Sequence, residues 1–234
     1  DKEYMAKSFL VDEEIINITG LPRYELLKSN YTLDGFLNHQ KNKLNDIKLN
    51  RKLILYAPTF REDSESAFDQ VSEDEWILLN NLLLENNSIL GLRPHSYDNK
   101  TPPISTKGLD NVFWLSQEEF TETNVILQLV DILIVDFSSI WIDFLLLDRP
   151  IIGFARDFEH YYNDERGFAY NFDDTFPDKF NHTFSDFVIC LDSLLKSNES
   201  QKNYSFAKSK FHHYSLNTNF VENLSRSLKK LNIF

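Results

Sequence analysis

The chain of 234 residues carries a formal net charge of −12, and 42% of its residues are hydrophobic. That hydrophobic share supports a buried core and excludes intrinsic disorder, and the length suits one large domain or one domain plus part of another. The acidic balance excludes a nucleic-acid reader, which needs clustered Lys and Arg, but leaves room for a pocket holding one small phosphorylated ligand.

In chain order, EYMAKSFL predicts a short helix, IINITG a β-branched extended run, and Gly20-Leu21-Pro22-Arg23 a turn before another helix start. A polar, Lys- and Asn-rich helical stretch over 32–48 reads as a linker. LILYAPTF (53–60) is a strand entering a turn at Pro58. An acidic loop then leads to a helix at 75–87, and SILGLRP (88–94) is the next strand. NVFWLS is strand-like and 121–130 helical. DILIVD is a strand, 138–147 a helix and PIIGF a strand, and the tail from 184 reads as two or three amphipathic helices. None of these is a basic amphipathic helix in this reading, so membrane contact is expected of regions outside the chain.

Strands and helices alternate, and the strands are near-continuous hydrophobic runs. That pattern predicts a parallel sheet covered on both faces, a doubly wound α/β domain over about 50–234. Ligands of such sheets sit beyond the carboxyl ends of the strands. The expected site segments are therefore Pro58-Thr59-Phe60-Arg61, Arg93-Pro94-His95, Asp136-Phe137-Ser138-Ser139 and the stretch beginning at Arg156-Asp157.

Ser138 and Ser139 lie where a strand gives way to a helix, so they read either as plain helix caps or as caps that also hold an anion. Asp143, four residues after Ser139, returns to the same face. It is either an internal salt bridge, with Arg149 as a partner, or an acid that supports the serine loop. Arg61, Arg93 and Arg166, with His95, sit at strand ends and in the loop before Gly167. Together they read as a positive patch suited to phosphate, against the alternative of scattered surface pairs.

Other chemistries fail sooner. Six glycines form neither G-x-G-x-x-G nor a Walker loop, and no G-x-S-x-G elbow occurs. His212-His213 has no accompanying carboxylate motif, so no metal site is expected, and Cys190 alone forms neither a disulfide nor a Cys-rich site. The lone cysteine fits a reducing compartment. No run approaches the roughly 18 apolar residues of a membrane span. The chain opens DKEYMAKSF, without an initiator Met or signal peptide, and reads as a piece of a longer protein.

Taken together, TGLPRYELL, YAPTFR, a strand ending in Pro-His, DILIVDFSSIWIDF, DRPIIGF and D-x-x-x-Y followed by RGFAYNF resemble the CDP-glycerol glycerophosphotransferases. These are the teichoic-acid primases and polymerases, with capsule-polymer relatives. The resemblance covers about 15–175 and continues more weakly to the carboxyl terminus.

It implies a Rossmann-like domain forming the C-terminal half of a GT-B transferase. Residues 1–30 would be the end of the N-terminal domain, 31–49 a linker helix and 50–234 the donor-nucleotide domain. The implied reaction moves glycerol phosphate or ribitol phosphate from CDP-glycerol or CDP-ribitol to the hydroxyl of a polymer or lipid-linked acceptor, releasing CMP. No cofactor or metal is required and no nucleic acid is involved. The implied location is cytoplasmic, peripheral at the inner face of the bacterial membrane.

Matched motif by motif, Thr59 and Arg61 would contact donor phosphates or ribose, and His95 would meet the pyrophosphate or assist the leaving CMP as the catalytic residue. Arg93, Ser138 and Ser139 would bind phosphate with Asp143 in support, and Arg166 and Gly167 would close over the donor. The chain departs from the family in having Arg93-Pro94-His95 for His-Pro-His, Pro177-Asp178 for Pro-Gly, and Ser215-Leu216-Asn217 where Asp-Gly is expected. A catalytic histidine of the family's N-terminal domain has no counterpart, so this chain is expected to bind nucleotide with or without turnover. The alternatives are a capsule glycosyltransferase using another nucleotide sugar and a nucleotide-binding domain without chemistry.

Overall fold

A computed structural model describes residues 2–60, 68–95, 106–164, 172–197 and 201–231. In chain order these form α1 (Lys2–Phe9), α2 (Gly35–Lys48), β1 (Lys52–Tyr56), α3 (Glu73–Glu85), β2 (Ser88–Leu92), β3 (Val112–Trp114), α4 (Thr123–Leu127) and β4 (Ile132–Val135). There follow α5 (Ile140–Phe144), β5 (Ile151–Phe154), α6 (Phe158–Asp164), α7 (Phe172–Thr175), β6 (Phe180–Asn181), α8 (Phe184–Lys196), α9 (Ser205–Phe211) and α10 (Phe220–Lys230). Short 3-10 segments occupy Glu13–Ile15, Pro22–Leu27 and Leu145–Leu147.

The six strands form one sheet in the order β3-β2-β1-β4-β5-β6, and every neighbouring pair is parallel. Period-two alternation splits each central strand between two cores. Leu53, Leu55, Leu133, Val135 and Ile151 face one layer, which holds Leu127, Trp141, Phe144 and Ala207 from α4, α5 and α9. Ile54, Tyr56, Ile132, Ile134, Ile152 and Phe154 face the other, against Trp76 and Leu79 of α3 and Phe187 and Leu191 of α8. Each such side chain contributes about 2 kcal/mol by leaving water. The doubly wound, Rossmann-like α/β sheet expected from the sequence is the fold observed.

Local chemistry agrees with these boundaries. Ser72 and Glu75 form a reciprocal capping box at α3, and Asp34, Thr183 and Asn219 accept from backbone N–H groups at the starts of α2, α8 and α10. Gly153 is needed for close approach: a Cβ there would lie 2.2 Å from Phe180 Cδ2, where β6 closes on β5.

Several expectations are corrected. IINITG joins no ladder among the described residues; it begins in the 3-10 turn Glu13–Ile15. The helix expected over 138–147 starts only at Ile140 and ends in a 3-10 turn, with Asp148 left-handed at φ 54° before Arg149-Pro150. The chain also has a basic amphipathic helix: α10 carries Arg226, Lys229 and Lys230, while its first apolar residue, Phe220, is buried. Short elements α6, α7 and β6 went unread because their lengths carry little periodicity.

Residues 17–30 are bound tightly to the sheet domain. Lys28 Nζ donates to Glu25 and to the Thr218 carbonyl, Gln128 donates to the Leu26 and Lys28 carbonyls, and Phe220 N donates to Glu25. Helix α2 is held as well: Gln40 bonds Thr121, Lys41 bonds Gln128, and Lys48 pairs with Asp131.

Candidate functional site

The strand order reverses between β1 and β4: the chain winds outward from β1 through β2 to β3, then outward again from β4 through β5 to β6. A crevice opens at such a reversal, beyond the strands' carboxyl ends. Ala57-Pro58-Thr59-Phe60 leave β1 there and Asp136-Phe137-Ser138-Ser139 leave β4.

The two loops are joined by Asp136. Its side chain is fully buried, and Oδ1 accepts from Thr59 N at 2.8 Å and from Ser138 N at 3.1 Å. The Ser138 contact is an aspartate turning its own backbone two residues on, and the Thr59 contact carries the same carboxylate across to β1. Ala57 N donates to the Ile134 carbonyl just below, so the crevice floor is continuous with the sheet ladder. Asp136 opens the expected segment Asp136-Phe137-Ser138-Ser139, but the sequence assigned it no role of its own. Its signal was there, as an acid at the end of the apolar run ILIV.

Thr59 and Ser138 are half-buried and Ser139 is exposed. Ser139 is in helical conformation and makes no side-chain cap, so the expected hydroxyl capping of α5 is not realised; Ile142 N donates to the Ser139 carbonyl at 3.0 Å instead. His95 follows β2, the neighbour of β1, and its ring packs against Phe60 with centroids 5.9 Å apart. Thr59, His95, Ser138 and Ser139 thus share one edge of the sheet.

Two other candidates point elsewhere. Arg93 is 2% exposed, and its Nη2 donates to Gln117 Oε1 at 2.7 Å and to Thr123 Oγ1 at 2.9 Å. Burial lowers its pKa to about 10, with the Glu122 charge opposing that shift. Its Nη2 donors are used within the fold, tying β2 to the start of α4, and with the side chain buried this is at odds with the phosphate role expected of it. Asp143 does not face the serine loop. It is paired with Arg23, and the suggested partner Arg149 instead donates to the Gln128 and Val130 carbonyls.

Arg156, at the end of β5, donates to Gln70 O and Glu75 Oε1, which anchors the cap of α3. Arg61, Arg166 and Gly167 lie outside the described residues. Of the positive patch read from sequence, His95 is the described member that stays at the edge. Among the described residues no cluster of three or more His, Cys, Asp or Glu could hold a metal ion, and no helix is long and apolar enough to cross a membrane.

A ring of aromatics supports the β4 loop from the β5–β6 side. Phe137 stacks on Tyr161 with centroids 4.2 Å apart and lies parallel to Phe180 at 6.0 Å, while Phe172 stacks on Phe176 at 5.0 Å. Such rigid packing holds the residues after β4 in one geometry.

Comparisons with known proteins converge on one family. The profile of CDP-Glycerol:Poly(glycerophosphate) glycerophosphotransferases matches residues 1–223, a longer stretch than the motifs alone suggested. A teichoic acid poly(glycerol phosphate) polymerase of Bacillus spizizenii is 30% identical over 189 residues, covering 75% of this chain and 46% of that protein. A teichoic acid glycerol-phosphate primase of Bacillus subtilis is 28% identical over 218 residues, covering 89% of this chain and 53% of that protein. The chain therefore spans about half the length of these two curated relatives.

Among solved structures, the wall teichoic acid polymerase TagF, in a form soaked with CDPG, superposes with a TM-score of 0.72 at 23% identity. The match covers 99% of this chain and 56% of that one, and it is a likeness of fold. With the profile matched over nearly its whole length, the chain belongs to the CDP-glycerol:poly(glycerophosphate) glycerophosphotransferase family.

Proposed function

We propose that the chain is the donor-binding part of a transferase that moves a polyol phosphate from a CDP-activated donor to an acceptor hydroxyl in the synthesis of a teichoic-acid or capsule polymer. The observation that carries this reading is the gathering of Thr59, His95, Ser138 and Ser139, each from a family-like motif, on the edge where the strand order reverses. In this reading residues 1–30 end the preceding domain, α2 connects the two, and residues 50–234 hold the nucleotide. The donor is CDP-glycerol or CDP-ribitol, the acceptor a growing polymer or lipid-linked primer, and the place of action the inner face of the membrane.

The chemistry asked of the site is modest and electrostatic. The acceptor oxygen forms a bond to the β-phosphorus as the bond to the bridging oxygen breaks, and CMP leaves with that electron pair. The acceptor's proton passes to a general base. Ser138 and Ser139 offer hydroxyls to the pyrophosphate, and Thr59 offers one from the facing loop. His95 meets the leaving phosphate, where an imidazole N–H stabilises the charge that develops. Asp136 acts through the two loops it joins and is a positioning residue.

The test is calorimetry of this chain with CDP, CMP and UDP, alongside His95→Ala and Ser138→Ala. Preference for cytidine nucleotides, with a loss of about tenfold in either variant, supports the reading. UDP preference would point instead to a different nucleotide sugar. Unchanged CDP affinity in both variants overturns the site. Turnover is tested in the full-length protein by CMP release from CDP-glycerol and CDP-ribitol.

A further inference from the structure

A second cavity, of about 570 Å3, opens on the side of the molecule where α1, residues 17–24 and residues 209–214 meet. It shares no residue with Thr59, His95, Ser138 or Ser139. Its size lies within the ordinary range for small-molecule pockets.

The walls are cross-tied and so already formed. Tyr214 Oη donates to the Ile18 carbonyl at 3.0 Å, and the Tyr24 ring meets Phe220 edge-on at 5.3 Å and His212 at 5.5 Å. Gly20, at φ +72°, lets the backbone pass where a Cβ would lie 2.4 Å from the Phe220 ring. The 209–214 wall rests on α5: Phe211 packs edge-on against Trp141 at 5.1 Å, and His212 Nε2 lies 2.6 Å from the Ile142 carbonyl oxygen. Since α5 begins directly after Ser139, one short helix joins this wall to the candidate donor loop.

The lining selects for charge. Lys2, Lys210, His212 and His213 contribute to it, yet among the described residues no aspartate or glutamate does, in a chain with 36 of them. Lys210 Nζ is held by the Asp174 carbonyl and lies 4.5 Å over the Phe206 ring, neither of which lines the cavity, so Lys2 and His213 are the basic side chains left for a ligand. Asn17, Thr19 and Ser209 add amide and hydroxyl groups beside an aromatic floor. Cations suit phosphate, amides and hydroxyls suit hydroxyls, and aromatic faces suit the C–H edges between them. A cationic ligand would meet no carboxylate among the described lining residues.

We infer that this cavity binds a phosphate-bearing polyol, the chemistry of the acceptor chain; the inference rests on the polyol-phosphate transfer proposed above. The probes are a short poly(glycerol phosphate) oligomer, glycerol and inorganic phosphate, titrated into this chain and into Lys2→Glu/His213→Glu, with CDP as a parallel probe. His213 is exposed and Lys2 half-buried, so the double variant should keep its fold. The oligomer is expected to bind the parent, to lose about tenfold or more in the variant, and to weaken with salt, while CDP affinity stays within about twofold.

No oligomer binding, or equal binding to the variant, overturns the inference. Glycerol binding as well as the oligomer overturns the phosphate part, and inorganic phosphate binding as well overturns the polyol part. Oligomer binding without CDP binding would leave this cavity standing and remove the donor reading. CDP binding without oligomer binding would do the reverse.

Discussion

Arg23 and Asp143, 120 residues apart in sequence, meet in a two-pronged ion pair: Arg23 Nε donates to Asp143 Oδ2 at 2.7 Å and Nη2 to Oδ1 at 2.9 Å. The Asp143 side chain is 7% exposed and that of Arg23 51%. Asn124 joins the pair to the chain by donating from Nδ2 to the Arg23 carbonyl at 3.1 Å. TGLPR and FSSIWIDF, two motifs that look independent in sequence, are therefore one structural unit that fixes the 17–30 segment on α4 and α5.

Replacing Arg23 by Ala leaves a buried carboxylate short of its partner. The expected cost is about 1–3 kcal/mol, below the figure for a fully buried pair because half of Arg23 is in water. Arg23→Lys should recover only part of it, since a single ammonium cannot match both oxygens. Urea unfolding measures both, and an Arg23→Ala variant as stable as the parent would show the pair to be dispensable.

Asp136→Ala removes the acceptor shared by Thr59 N and Ser138 N, leaving two backbone donors without that bond. We expect a loss of about 2 kcal/mol or more in stability. CDP affinity should fall with it, and Asp136→Asn, which retains Oδ1, should recover much of both. The informative readout is the affinity measured well below the melting temperature. If Asp136→Ala binds CDP like the parent, the two loops do not cooperate in holding the donor.

Arg93 separates a structural from a functional arginine. Arg93→Ala removes the donor to half-buried Gln117 Oε1 and Thr123 Oγ1 and empties a buried side-chain site, and should cost about 1–3 kcal/mol in thermal or urea unfolding. CDP affinity of the remaining folded protein should stay within about twofold. A stable variant with weakened CDP binding would return Arg93 to the site.

Glu25 gives a pH signature. Burial alone raises its carboxyl pKa, but Lys28 and the Phe220 N–H outweigh that and hold it below the usual carboxylate value. The unfolded chain therefore takes up a proton before the folded one does. The contribution of Glu25 to stability is complete above the unfolded pKa of about 4.3 and is lost as pH falls through the lower folded value. Glu25→Gln should be destabilised relative to the parent at pH 7, and the gap should close below about pH 4. A gap independent of pH would mean that the charge is not what docks residues 17–30 to α10.

Much of the fold was legible because it is written locally. KLILY, SILGL, ILIV and IIGF are short apolar runs that suit only strands buried on both faces, and the helix read over 75–87 lies within one turn of the observed α3. The site was legible in part for the same reason. Once the strands are parallel and doubly wound, the residues after β1, β2 and β4 must emerge on one edge, which brings Thr59, His95 and Ser138 to the same side.

What sequence could not carry is the direction and partner of each polar side chain. Arg93 stands two residues from His95 in the chain, yet its guanidinium turns inward, to Gln117 in the turn after β3 and Thr123 at the start of α4. Asp143 is six residues from Arg149 but pairs with Arg23, because the left-handed residue at 148 sends Arg149 toward the carbonyls at the end of α4. Hydrophobic periodicity is a property of neighbours along the chain and alone determined the strands and their buried faces. A hydrogen bond is a property of atoms within about 3 Å in space, so only the packing of distant segments decided which polar residues are spent in the fold and which remain at the crevice.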